Sequence, residues 1–187
     1  MEDQKTWLKE NAQQWDRLLE GYQLPEWDDF PELPLYMDQV IYLMNQYLSL
    51  LDREENRQQV TPAMINNYVK LAIIPRPVKK RYDRVHLAFL IMVCVLKQTV
   101  STAEIKKLIP VNFGEKEIKP LYEGFRDAFR GAKNTFRENM ERDVERIIES
   151  DADPATSLVF RTALISSLSR EWAERILSFY PEADNRQ

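Results

Sequence analysis

Thr61-Pro62-Ala63-Met64-Ile65-Asn66-Asn67-Tyr68-Val69-Lys70-Leu71-Ala72-Ile73-Ile74-Pro75-Arg76-Pro77-Val78-Lys79-Lys80-Arg81-Tyr82-Asp83 is the stretch on which the fold turns. Thr61 is a good helix N-cap, and Pro62 falls at the first helical position, where a missing N–H is harmless. Met64, Ile65, Tyr68, Leu71 and Ala72 recur at spacings of three and four, which predicts a short helix over about 62–72 with one buried side. Pro75 and Pro77 push their predecessors out of helical geometry, so Ile73 to Val78 is read as extended. The extension closes on the basic run Lys79-Lys80-Arg81-Tyr82, and Asp83 is read as the cap of the next helix.

Downstream, Leu87 to Leu96 is an unbroken apolar run, too short for the roughly 20 residues that cross a bilayer. It reads as a helix over about 84–98 buried in a protein core. Ser101 with Glu104 three residues on forms a capping box for a helix ending near Ile109, where Pro110 stops it. Pro120 is read as the start of a long helix reaching about Ser150, with a stripe that includes Leu121, Phe125, Phe129, Phe136, Met140, Val144 and Ile147. Asp153-Pro154 opens a last helix to about residue 180, with Leu158, Ile165, Leu168, Trp172, Ile176 and Phe179 on one side.

Upstream, Tyr36 to Leu51 reads as a helix, followed by a polar insert from Asp52 to Gln59. Leu24 to Pro34 carries three prolines and cannot be a regular helix, and its aromatics Trp27 and Phe30 predict that it packs along a surface. A first helix spans about 4–20. The expected organisation is an N-terminal helix with an acidic Pro-rich segment (1–32), a central helical domain (33–110) and a C-terminal helical region (111–187).

The 187 residues include 4 Gly and 10 Pro, which fits helices joined by Pro-punctuated loops better than a fold rich in tight β-turns. Net charge is −4, unevenly placed. Residues 1–59 hold 13 acids against 5 bases, whereas residues 60–86 hold six bases against Asp83 alone. A basic island in an acidic chain suggests a local anion-binding surface. One Cys and one His make neither a disulfide nor a zinc site. No Gly-rich phosphate loop or nucleophile elbow is visible. The expectation is a cytoplasmic, non-enzymatic protein without cofactor, metal or membrane association.

The order of short helix, basic extension, buried helix and capped helix resembles the DNA-binding domain of the MerR family of regulators. Ile65 to Pro75 stands at that family's recognition helix, Arg81-Tyr82-Asp83 at the end of its wing, and Thr102-Ala103-Glu104-Ile105-Lys106-Lys107-Leu108 at its last helical motif. Asn66 replaces the arginine of the recognition helix, Ala72 its terminal glycine, and the insert Asp52 to Gln59 a tight turn. The span Leu33 to Ile109 also resembles the uncharacterised bacterial family called domain of unknown function 1836. Met37-Asp38-Gln39-Val40, Thr61 to Lys70, Lys79 to Tyr82 and Leu96-Lys97-Gln98 carry that resemblance.

Together these imply an all-α protein, with at most a small β wing, built on a MerR-like winged helix-turn-helix plus a C-terminal helical region. The implied function is a regulator of transcription that binds double-stranded DNA. Asn66, Asn67 and Lys70 would face base edges, since asparagine can pair bidentately with adenine. Arg76, Lys79, Lys80, Arg81, Tyr82 and Arg84 would hold phosphates. A homodimer through the helix near 120–150 is expected, because such proteins read paired half-sites. The competing expectation is a non-catalytic interaction module on the same scaffold that contacts protein instead of DNA.

Overall fold

A computed structural model of the chain describes residues 2–51, 60–149 and 153–180. Among these the chain is helical, with isolated β-bridges in place of strands. The helices are α1 (Glu2–Gly21), α2 (Met37–Tyr47), α3 (Pro62–Lys70), α4 (Arg84–Leu96), α5 (Thr102–Leu108), α6 (Glu115–Ile148) and α7 (Pro154–Leu177). The insert Asp52 to Gln59 lies outside the described residues, as does Ser150.

The chain divides into two compact units. Among the described residues, one holds residues from 24 to 126 with 176–180, and the other holds 2–23 with 127–149 and 153–175. This differs from the expected boundaries. The Pro-rich segment and the first turns of α6 fold with α2–α5.

In the 24–126 unit α4 is the central post. Every residue from His86 to Cys94 is buried, as a helix apolar all round requires. It packs against α2, which also meets α3, and the buried core of the unit includes Val40, Ile41 and Met44 of α2, Ile65 and Tyr68 of α3, Ile105 of α5, and Ile118 and Tyr122 of α6. Each fully buried large side chain contributes about 1.5–3 kcal/mol relative to exposure. Asn45 closes one side. Its amide donates to the Val60 carbonyl at 3.3 Å, and its carbonyl accepts from the Val60 N–H at 3.0 Å.

The Pro-rich segment packs as its aromatics predicted. Trp27 and Phe30 are buried, and Phe30 meets Tyr122 at 5.2 Å between ring centroids. The Tyr122 hydroxyl donates to the Pro25 carbonyl at 2.9 Å, and Arg126 donates to Leu24 O while pairing with Glu26. A single 3-10 turn, Trp27–Asp29, fits between the prolines.

The long helix begins five residues before the expected start. Gly114 carries the cap: its N–H donates to the Glu117 carboxylate at 3.0 Å, and its carbonyl accepts the first helical bond, from Ile118. Pro120 therefore sits inside α6. It is exposed, so the Lys116 carbonyl that loses its helical donor can turn to water. The 34 residues of α6 make a helix about 50 Å long.

In the other unit α1 runs antiparallel to α6. Lys5 bonds the Ile148 carbonyl, Arg137 forks onto Asp16 at 2.7 and 2.9 Å, and Lys133 bonds the Tyr22 carbonyl at 2.7 Å. Tyr22 meets Phe129 edge-on at 5.9 Å. The bonded Arg137 guanidinium holds the Asp16 carboxyl below its usual value, against a smaller opposing effect of burial. The stripe of α6 that pattern alone offered to a dimer is thus packed in part against α1.

Candidate nucleic-acid interface

Thr61 and Pro62 start α3 as their chemistry dictates: the Thr61 hydroxyl accepts from the Met64 N–H at 3.3 Å. Ile65 and Tyr68 turn inward, and burial pushes the Tyr68 phenol up to about 12. The opposite face carries Asn66, Asn67 and Lys70, all exposed.

The end of α3 comes two residues earlier than periodicity suggested, because the backbone reverses hand. Ala72 has φ 50°. The Ile73 N–H bonds Tyr68 O at 2.9 Å and the Ala72 N–H bonds Val69 O at 3.1 Å. This is the paired hydrogen-bond pattern of a Schellman C-cap, completed by buried Ile73 against buried Tyr68. The left-handed position usually belongs to glycine, and here an alanine holds it. Ile73 and Ile74 then anchor the extension in the core, leaving Arg76 exposed between two prolines.

The basic run forms a tight hairpin. The Arg81 N–H bonds the Val78 carbonyl at 2.9 Å, and Val78 and Arg81 form an antiparallel bridge. The two residues at the tip, Lys79 and Lys80, have φ of 50° and 61°. Positive φ at both central positions defines a type I′ turn, normally occupied by Asn-Gly. Side chains with a Cβ pay roughly 1–2 kcal/mol each to sit there. The hairpin's base is fixed by a second bridge, in which Leu35 and Tyr82 exchange N–H···O bonds of 2.7 and 2.9 Å.

Three residues expected on phosphates are committed elsewhere. Tyr82 is buried, with its ring edge-on to His86 at 5.4 Å, so its hydroxyl is not offered to a ligand. Arg81 lies over the Tyr36 ring at 3.6 Å and donates to the Tyr36 hydroxyl and the Pro34 carbonyl. Arg84 is half-buried, with Nε on the Phe30 carbonyl at 3.1 Å and a longer pairing to Glu32. These side chains hold the hairpin and α4 to the segment before α2.

The other six, Asn66, Asn67, Lys70, Arg76, Lys79 and Lys80, are exposed, and their side chains form no hydrogen bond or ion pair with any described residue. The pattern gave no hint of Leu35 and Tyr36 as hairpin partners, because the pairing joins positions far apart in the chain.

His86 is buried at the start of α4 as the third residue of a cap. Asp83 accepts from the His86 N–H at 3.2 Å, and its carboxylate lies 2.7 Å from His86 Nδ1. Nε2 is buried with no hydrogen-bond partner among the described residues. The bond to His86 holds the Asp83 carboxyl below its usual value, with burial opposing. Cys94 is buried, which pushes its thiol up to about 12.

No curated protein and no solved structure matches the chain. A family described as a domain of unknown function (DUF1836) matches residues 25–125, limits that fall within one residue of the compact unit 24–126. That match covers more than half of the 187 residues, and the chain belongs to this family.

Proposed function

We propose that this protein is a DNA-binding regulator of transcription that uses α2 and α3 as a MerR-like helix pair and the Val78–Arg81 hairpin as its wing. The carrying observation is the wing tip, where two exposed lysines occupy adjacent left-handed positions that glycine or asparagine would fill with less strain. Backbone strain held at an exposed tip points to a use for the side chains. Two unpaired ammonium groups at the end of a hairpin suit phosphate oxygens. The exposed face of α3 offers Asn66 and Asn67 for base edges, with Lys70 one turn on.

The test is binding to random-sequence duplex DNA over a salt series. Wild type is compared with Lys79→Glu/Lys80→Glu, leaving Arg81 in place because it holds the hairpin. Wild-type affinity is expected to fall steeply with salt. The double variant is expected to bind more weakly, with a log–log salt slope shallower by about two. Absence of wild-type binding at about 50 mM salt, where phosphate contacts are still strong, overturns the reading. The exposed Leu33, Tyr42 and Val78 would then favour the non-catalytic protein-interaction module.

A further inference from the structure

We infer that α7 is the seat of a second copy of this chain, packed about a two-fold axis through the middle of its apolar stripe. Every residue from 159 to 172 is exposed. Phe160, Leu164, Leu168 and Trp172 are each between 63% and 69% exposed, and Ile165 beside them is 47% exposed. Across these four turns the side chain that ties the helix down is Arg161, which bonds the buried Asp143 of α6 at 2.5 Å, while the large apolar side chains stay mostly open. Helices of this length are marginal in water without tertiary packing, so this stretch calls for a partner.

The stripe itself indicates which partner. Its four large residues recur every four positions and are symmetric about the point midway between Leu164 and Leu168. A two-fold rotation there brings Phe160 opposite Trp172 of the second copy, and Leu164 opposite Leu168 of the second copy. Self-complementarity of this kind is what an isologous dimer requires. A row of spacing four is also the ridge used in the commonest class of helix crossing.

Charge agrees. From Pro154 to Leu177 the helix holds Arg161, Arg170 and Arg175 against Glu171 and Glu174, so two copies repel little. It carries no lysine, unlike the basic polar face of a helix that lies on a membrane. The five apolar side chains offer on the order of 600 Å² per copy, against ~800 Å² per partner in a standard interface. The association is therefore expected to be reversible. The inference stands whether or not the protein binds DNA, because its test contains none.

The experiment is sedimentation of the full chain over a concentration series. Wild type should pass from monomer to dimer. Leu164→Glu/Leu168→Glu should weaken association by more than about 100-fold. Both positions are exposed in the single chain, so the fold outside α7 should be kept, and any loss of helical circular dichroism should not exceed the share of α7. Register is read by oxidative crosslinking. Chains carrying Leu164→Cys should link to chains carrying Leu168→Cys faster than either links to itself, with buried Cys94 silent. A wild type that stays monomeric, or a dimer indifferent to the two glutamates, overturns the inference. So does a monomer that binds vesicles of phosphatidylglycerol and phosphatidylcholine through Leu164 and Leu168, which would assign the face to a lipid surface.

Discussion

The guanidinium carbon of Arg81 lies 3.6 Å from the centre of the Tyr36 ring, joining the end of the basic hairpin to the residue before α2. The same side chain donates to the Pro34 carbonyl at 3.2 Å and to the Tyr36 hydroxyl. Its charge is therefore spent on stacking and on two hydrogen bonds. Arg81→Ala is expected to destabilise the protein by about 1 kcal/mol. Arg81→Lys should recover only part of this, since an ammonium lacks the planar fork. Urea denaturation of the three proteins checks it; full recovery by lysine would show that charge alone matters there.

Stability and binding are expected to move in opposite directions at the hairpin tip. Lys79→Asn/Lys80→Gly installs the residues that a type I′ turn prefers and should raise stability by about 1–2 kcal/mol. The same change removes both ammonium groups and should weaken binding to duplex DNA. Lys79→Glu/Lys80→Glu should weaken binding without the gain in stability. Thermal melts beside the salt titration separate the two effects.

A second left-handed residue closes α3. Ala72→Gly should stabilise the protein by about 0.5–1 kcal/mol, the relief of left-handed strain less the added freedom of glycine in the unfolded chain. Ala72→Val should destabilise it, because a β-branched side chain fits φ 50° poorly. Equilibrium unfolding measures both. A glycine variant weaker than wild type would contradict the Schellman geometry.

Asp83 gives α4 a pH-dependent cap. Its folded-state carboxyl is held down first by the hydrogen bond to His86, so its contribution is complete above the unfolded carboxylate value and is lost as pH falls through the folded one. Asp83→Asn keeps a capping oxygen but removes this titration. Its stability should fall less than that of wild type as pH drops from 5 toward 2, on a scale of pH units set by ~3.9 for an unperturbed aspartate. Asp83→Ala should cost about 1 kcal/mol at neutral pH. Parallel pH profiles for wild type and Asp83→Asn would remove the linkage.

Much of the fold was legible because its signals are local. The Thr61-Pro62 start, the Ser101–Glu104 box and the Asp83 cap all act across three residues, and each forms as its chemistry requires. The buried run of α4 announced itself by being apolar all round. The start of α6 was misplaced because Pro120 looked like a first-turn proline, whereas Gly114 with Glu117 carries the cap. The candidate site was legible in its composition but not in its assignments. Lysine does not mark a left-handed backbone, so the strain at Lys79 and Lys80 had no signal in the chain.

Helices, caps, the basic island and the membership of residues 25–125 in their family follow from the sequence by itself, since each rests on residues near one another in the chain. Which cations remain free was decided only in three dimensions. Arg81, Tyr82 and Arg84 sit in the same basic run as Lys79 and Lys80, yet Pro34, Tyr36, Leu35 and Phe30, brought up from a distant segment, take them into structural bonds. The same holds for the apolar stripes: α6 meets α1 and Tyr22 between Phe129 and Ile148, while α7 keeps its stripe exposed. A pattern of side chains states what a surface can bind, but tertiary packing determines which surfaces are already occupied.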